Sequence, residues 1–476
     1  MAEGSSTATG TLLTTSGWNL ASFRLIPRIE TYPKVVAFAQ TLAGKLILLA
    51  LFGAGLYVGG QAAVPLTVCL AVMTFVPLTR RLLLTLCTLA FAFLLPWFYG
   101  RVPLSLLVTT VQVLVLAGIL FWSAAQWPHS FYGRRPLLFL FSLFWLILLW
   151  AVLLPPGATA SPLFWRFIFI FGNYIWFIGF SLLDAKATAH DDFGRQVGAY
   201  LPFWGSSNTP FPKGSAYLRQ IEAQNAEQLA ITQLKGLKLL AWSLLLLLAF
   251  RFMTFAVHGY LQVPTFPEAL RLSANRMPLP WYTCWQALLY SFFTGLLSLS
   301  IIGHRFIACC RMAGFNALRN TYRPLSSVTV AQFFNRYYFY FKELLLDFFF
   351  YPTFLRYFKK HKNLRMAFAI FAAAGFGNAL YHFMLSPDFI RKLGFWKALV
   401  TFQVYLFYCV LLSIGLTISN LRKKRPKPAG FLRSQLWPSI SVVLFYCLLD
   451  VFGSTERNYP LVEHFRFFAH LFSINL

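Results

Sequence analysis

Eleven stretches of this chain are apolar for the length of a membrane crossing, and polar gaps separate them. They run over 37–58, 62–78, 82–99, 102–122, 136–154, 164–183, 237–257, 281–302, 366–385, 398–418 and 437–451. An α-helix rises 1.5 Å per residue, so about 20 residues cross a hydrocarbon core about 30 Å thick. The pattern predicts an all-α fold: a polytopic transmembrane helical bundle of about eleven spans. A polar, cytoplasmic amino-terminal segment over 1–34 precedes a single transmembrane domain over 35–476.

Composition excludes the soluble alternatives. Hydrophobic residues make up 58% of the 476 and charged residues only 12%, against about 25% charged in an ordinary soluble domain. The net charge of +27 would suggest nucleic-acid binding in a soluble protein, but here the basic residues fall mostly between apolar runs. That is the placement of cytoplasmic loops that meet anionic lipid head groups, and no soluble aromatic platform accompanies it, so no nucleic-acid partner is expected. Membrane lipid is the expected partner. Cys69, Cys87, Cys284, Cys409 and Cys447 lie inside apolar runs, where thiols behave as small hydrophobes. Cys309 and Cys310 are adjacent, so no disulfide framework is expected. The polar stretch 1–17 has no short apolar core with a cleavage site, so the first span is expected to stay in the mature protein.

The loops give an orientation. Arg24, Arg28 and Lys34 precede the first span, Arg80 and Arg81 follow the second, Arg134 and Arg135 the fourth, and the basic run 422–427 the tenth. By the positive-inside bias the amino terminus is inside and the carboxyl terminus outside, as in a bacterial inner membrane. Two inner segments, 184–236 and 303–365, exceed simple connectors. The first holds His190, Asp191 and Asp192, which look metal-like without a second cluster, so no metal site is expected. It also holds the Pro/Gly-rich piece LPFWGSSNTPFPKG over 201–214. The second is rich in Phe, Tyr and basic residues. Both are expected to be amphipathic or re-entrant and packed against the helices, around a central funnel.

The second segment carries three blocks. GHRFIACCRMAGFNALRNTYRP covers 303–324, FFNRYYFYFKELLLDFFFYP covers 333–352 and GFGNALYHF covers 375–383. In this order they resemble the membrane-bound O-acyltransferase family, especially the bacterial branch of alginate acetylation and teichoic-acid D-alanylation. The match is best over about 281–385, the motif-bearing core, and weaker around 201–212. Tyr381 and His382 take the place of the family's Trp-His pair, so the resemblance implies that His382 is the catalytic histidine. Arg336 and Asp347 fall on the family's Arg and Asp positions, and Tyr351 with Pro352 on its Tyr-x-Pro ending. Tyr338 stands where that branch has His or Asn. The resemblance implies an acyl group, acetyl in this branch, moved from a cytoplasmic thioester to a hydroxyl of an envelope glycan or a partner protein. Acyl-coenzyme A or another acyl thioester is then a co-substrate, with no bound cofactor, and a periplasmic acyltransferase or glycan-export protein is an implied partner.

The chemistry has its own argument. Acyl transfer to oxygen needs a base that draws the hydroxyl proton as oxygen attacks the thioester carbonyl, and imidazole titrates near working pH. His382 is the only histidine well inside an expected span, where an ionisable group is costly unless it faces a cavity or partner. Either it is that base, or it hydrogen-bonds a neighbouring helix with Asn378 as companion four residues earlier. Glu343 and Asp347 would share a helix face with Tyr340 and either orient a hydroxyl, pair with Arg336 or Lys342, or line a solvated face. Arg311, Arg319 and Arg323 would receive donor phosphates or anchor the loop on anionic lipid. The candidate site is therefore His382, Tyr338 and Asn378 for catalysis, with Arg336, Glu343, Asp347, Tyr381 and Arg311 for substrate. The competing readings are a non-catalytic scaffold of an export complex and a polytopic transporter or flippase, which predicts polar residues spread over several spans.

Overall fold

The computed structural model describes residues 25–76, 79–99, 104–127, 129–155, 160–187, 193–200, 202–205, 209–277, 279–422, 430–453 and 459–474. Among them every regular element is helical, and a lone antiparallel bridge joins Glu222 to Phe315. Seven helices among the described residues are long and apolar enough to cross a bilayer: Pro136–Leu153, Ser161–Asp184, Ala226–Tyr260, Trp281–Met312, Lys362–Met384, Gln403–Leu421 and Leu432–Gly453. The chain is an integral membrane protein. These seven coincide with seven of the eleven expected spans.

The expected spans at the amino-terminal end look different. The first is a bent pair, Pro33–Gln40 and Leu42–Val58, turned through 94°. The bend has a local cause: Thr41 is extended, donates its hydroxyl to Phe38 O at 2.7 Å, and accepts the Gly44 amide at 3.1 Å as the cap of the next helix. A Cβ at Gly44 would lie 2.0 Å from Phe38 O, so only glycine allows the turn to close this tightly. The second expected span is the helix Ala63–Phe75, whose 13 residues cover about 20 Å and fall short of the hydrocarbon core. It ends at Val76, which is extended ahead of Pro77, as the residue before a proline tends to be. The third and fourth fall on Arg80–Tyr99 and Leu104–Gln126.

An antiparallel pair spans the bundle. Ala226–Tyr260 has 35 residues and Trp281–Met312 has 32, so each is about 50 Å long and overshoots the apolar core. Gln233 Nε2 donates to Met312 O at 3.1 Å near one end, and Tyr290 OH donates to Thr254 Oγ1 at 3.3 Å toward the other. The first of the pair starts well before the expected 237, capped by Asn225, whose side chain accepts the Gln228 amide at 2.9 Å. The overshoot carries Lys235, Lys238 and Arg311 to one end of the bundle.

Three large apolar clusters fill the interior among the described residues, with a small fourth around Ala39 and Leu234. One is built around Phe144, Phe171 and Trp176, the second around Phe52, Leu56 and Phe315, and the third around Phe266 and Phe467. The stretch 333–349 feeds all three: Phe333 enters the third, Tyr340 the second, and Phe341, Leu344 and Phe349 the first. A buried Phe or Leu contributes about 1.5–3 kcal/mol, so this stretch is held from three sides. All seven cysteines are free and buried.

The span that carries His382 is interrupted by a π-helical turn, Phe371–Gly377, which packs against a second one, Leu346–Phe350. Contact is closest at Gly377, where a Cβ would meet the Phe349 ring at 2.5 Å. That ring is held by Phe141, stacked at 6.1 Å, and by Trp176 at 6.4 Å, so it has little room to yield. Gly377→Ala is expected to lower stability by about 1–3 kcal/mol through overpacking, read as a fall in the thermal unfolding midpoint in detergent. An unchanged midpoint would mean that the two turns are not tightly packed.

Candidate functional site

The site begins with a broken helix. Thr329 caps Val330–Tyr337 by accepting the Gln332 amide at 3.1 Å, and the Gln332 side chain reaches back to the Val328 amide at 2.8 Å. At Tyr338 the backbone leaves the helix and a new one, Phe339–Leu345, begins. A break strands backbone donors and acceptors, and buried ones need partners. Residues 320–322 supply them. Tyr322 N–H donates to Arg336 O at 2.8 Å, and the Thr321 hydroxyl to Tyr337 O at 2.7 Å. Asn320 accepts Phe339 N–H on its carbonyl at 2.9 Å and Tyr340 N–H on Oδ1 at 3.3 Å. Two of the three sequence blocks are thus joined by hydrogen bonds.

The break turns Tyr338 toward the third block. Its hydroxyl donates to Thr209 Oγ1 at 3.1 Å, and Thr209 Oγ1 lies 2.9 Å from Tyr381 OH. His382 follows Tyr381. Its ring lies 4.6 Å from that of Tyr405 and 6.0 Å from that of Phe341. Tyr405 OH donates to Asn378 Oδ1 at 3.3 Å. His382, Tyr338, Tyr381 and Asn378 therefore lie together in one largely buried group, with only Tyr338 and His382 partly exposed, completed by Thr209 and Tyr405, which the sequence reading did not single out. Thr209 lies in the Pro/Gly-rich piece 201–214, so the resemblance there was the one available signal. Tyr405 gave none.

Arg311 and Arg336 belong to a second place. A cavity of about 790 Å³ is faced by Arg28, Lys235, Lys238, Arg311, Arg319 and Arg336, with Glu30 as the one carboxylate among its lining residues. Glu30, on the turn Ile29–Thr31, is paired with Lys238. Burial works to raise its carboxyl, but the Lys238 hydrogen bond and charge outweigh it and hold it below the ordinary range. Arg311 donates through Nε and Nη2 to Ala317 O at 2.9 and 2.7 Å, and Arg336 to Ser326 Oγ at 2.8 Å. Burial pulls the Arg319 guanidinium below its ordinary value. Arg323 stands over the Tyr322 ring at 5.7 Å, beside the cavity.

Glu343 and Asp347 form a third place. Lys213, from the end of the Pro/Gly-rich piece, binds both at 2.7 Å, and Lys342 adds a second cation to Glu343 at 2.5 Å. Arg336 is engaged by Ser326 instead. Burial raises the Asp347 carboxyl and Lys213 only partly offsets it, whereas for Glu343 two lysines outweigh burial and hold the carboxyl below its ordinary value. Lys213 is held above its ordinary value, burial being outweighed by the two carboxylates. His190, Asp191 and Asp192 lie outside the described residues. Among the described residues no group of three or more His, Cys, Asp or Glu gathers to hold a metal ion.

No family model matches the chain, and no curated protein matches it.

In Lys213→Met two half-buried carboxylates would face each other without their shared cation. The expected cost is about 3 kcal/mol near neutral pH. Because Asp347 is already raised, it takes up a proton first as pH falls, which relieves the repulsion. The deficit in unfolding midpoint should thus be larger at about pH 8 than at about pH 5. A deficit that grows on acidification would contradict the pairing.

Proposed function

We propose that the chain is a membrane O-acyltransferase with His382 as general base. The observation that carries the reading is that Tyr338 and Tyr381, from two of the sequence blocks, meet on the Thr209 hydroxyl, with the His382 ring beside that of Tyr381. In the proposed reaction the His382 imidazole takes the proton of the acceptor hydroxyl. The oxygen attacks the thioester carbonyl, the carbon–sulfur bond breaks, and the leaving sulfur takes the proton from the imidazolium, which releases the thiol and restores the neutral histidine. Tyr405 and Phe341 fix the plane of the ring, and Asn378 fixes Tyr405. The apolar walls exclude water and so limit thioester hydrolysis.

The donor is taken up at the basic end of the bundle, where Arg311 and Arg336 face the cavity, and no resident cofactor is required. By the resemblance the acceptor is a hydroxyl of an envelope glycan or of a partner protein. The same reading places the chain in a bacterial inner membrane with its amino terminus inside, with up to eleven crossings around a funnel. A second reading has its own observation: Tyr338 already donates to Thr209, so the position of the family's second polar residue is occupied within the fold, as in a scaffold that has lost catalysis.

Membranes bearing equal amounts of wild type, His382→Ala or Tyr338→Phe, supplied with labelled acetyl- and octanoyl-coenzyme A, separate the two. Loss of a base is expected to lower transfer by about 10²–10⁴-fold in His382→Ala, with a smaller fall in Tyr338→Phe. Equal transfer by wild type and His382→Ala would remove the histidine from the reaction. No transfer from any thioester would favour the scaffold.

A further inference from the structure

The long antiparallel pair, Ala226–Tyr260 and Trp281–Met312, carries two arginines away from the basic cavity, Arg251 and Arg305. Arg305 lies about 10 Å along its helix from Met312, and Arg251 about 20 Å beyond Lys238. Arg305 has Nε and Nη2 buried, and neither atom has a hydrogen-bond partner in the protein. The neighbouring cation whose charge bears on it is Arg251, which is exposed. Among the described residues no carboxylate pairs with either arginine. A helical side chain leans toward the amino-terminal end of its own helix. Arg305 enters nearer the basic end and leans away from it, whereas Arg251 enters farther on and leans back, so the two guanidiniums approach one level.

A backbone turn lies at that level. Gly55, in the helix Leu42–Val58, packs against the long pair: a Cβ there would meet Leu240 and Leu244 at 2.7 and 3.7 Å. One helical turn later the chain reverses at 59–61, and a Cβ at Gly59 would lie 3.4 Å from Arg305 Nη2. Gly60 has φ +72° with open space around it. The span Ala226–Tyr260 continues about 20 Å past this turn, with Phe252 and Phe255 exposed as lipid-facing side chains are. A turn at hydrocarbon depth persists only beside protein or a polar recess, because lipid cannot satisfy its amides and carbonyls. A guanidinium at that depth has the same requirement. Turn and arginines therefore mark one polar notch, and nothing in the chain compensates its charge. A buried charge without a counter-ion is strongly unfavourable, so the anion comes from outside the chain. The planar fork of arginine matches two oxygens of one phosphate, and the lipid-facing flank favours a phosphate that arrives on hydrocarbon.

We propose that Arg251 and Arg305 hold the phosphate of an anionic membrane lipid at the turn 59–61, its acyl chains lying along the exposed face of Ala226–Tyr260. Neither arginine lines the basic cavity, and the site does not depend on acyl transfer.

The test uses the full-length protein in dodecyl maltoside, stripped of lipid. Its unfolding midpoint is followed against the concentration of dioctanoylphosphatidylglycerol, dioctanoylphosphatidylcholine or inorganic phosphate. Phosphatidylglycerol is expected to bind at least about tenfold tighter than the other two. Arg305→Gln and Arg251→Gln should each weaken it about tenfold, and the double variant little further, because both side chains hold one group. Lys360→Gln, which removes an exposed cation elsewhere, should leave the affinity unchanged. Without added lipid Arg305→Gln should unfold no lower than wild type, since the charge it removes has no partner. Unchanged affinity in Arg305→Gln, or an equal loss in Lys360→Gln, would overturn the proposal. A lower midpoint of Arg305→Gln without lipid would overturn it as well, by showing that the guanidinium is paired within the chain. Phosphatidylcholine or inorganic phosphate binding as tightly as phosphatidylglycerol would remove the anionic lipid from the site.

Discussion

The arrangement depends on satisfying the backbone where the helix breaks at Tyr338. A helix interrupted inside a membrane protein leaves amides and carbonyls that water cannot reach, and each unpaired one costs several kcal/mol in an apolar setting. Asn320, Thr321 and Tyr322 answer four of these groups at once. With those bonds made, residue 338 can leave the helix without penalty, and its hydroxyl reaches Thr209 and the histidine group. The same crossing keeps Asn335, Arg336 and Phe339 facing the basic cavity. Cavity and histidine group thus lie on either side of one structural joint.

Packing reinforces the joint. Phe333, Tyr340 and Phe341 lie within nine positions of one another yet enter three different apolar clusters. Such a stretch has no lipid-facing side to spare, which accounts physically for its density of large aromatic residues. Elsewhere in the chain, exposed aromatics such as Trp150 and Phe252 face outward, as expected of side chains in contact with lipid.

Much of this was legible in the sequence, and the exceptions have specific causes. The seven long spans stand out because their apolar runs are unbroken. The bend at Thr41 does not, because hydropathy continues through it and the decisive features are one hydroxyl and one missing Cβ. The early start of the Ala226–Met253 helix was hidden by its polar first turns, with Glu227, Gln228, Gln233 and Lys235 ahead of the apolar run. Within the site, the blocks marked His382, Tyr338 and Tyr381, but beyond the weaker resemblance over its piece no pattern marked Thr209 as a link, since it lies 172 positions from Tyr381 in a piece without periodicity. Glu343 and Asp347 were visible as an i,i+4 pair. Their cation, Lys213, was not, because it arrives from an irregular segment.

The π-helical turn at Phe371–Gly377 has a mechanical consequence for the residues beyond it. A π turn holds one more residue than the α turn it replaces. Were it to relax to α-helical winding with its upstream end held, everything downstream would swivel by about one residue step, about 100°. His382 lies in the first turns beyond it, so such a step would swing the imidazole away from Tyr405 while the helix stayed a helix. The orientation of the ring is therefore set by winding number as much as by its neighbours, and the Phe349 ring seated on Gly377 acts as the pawl that holds the count.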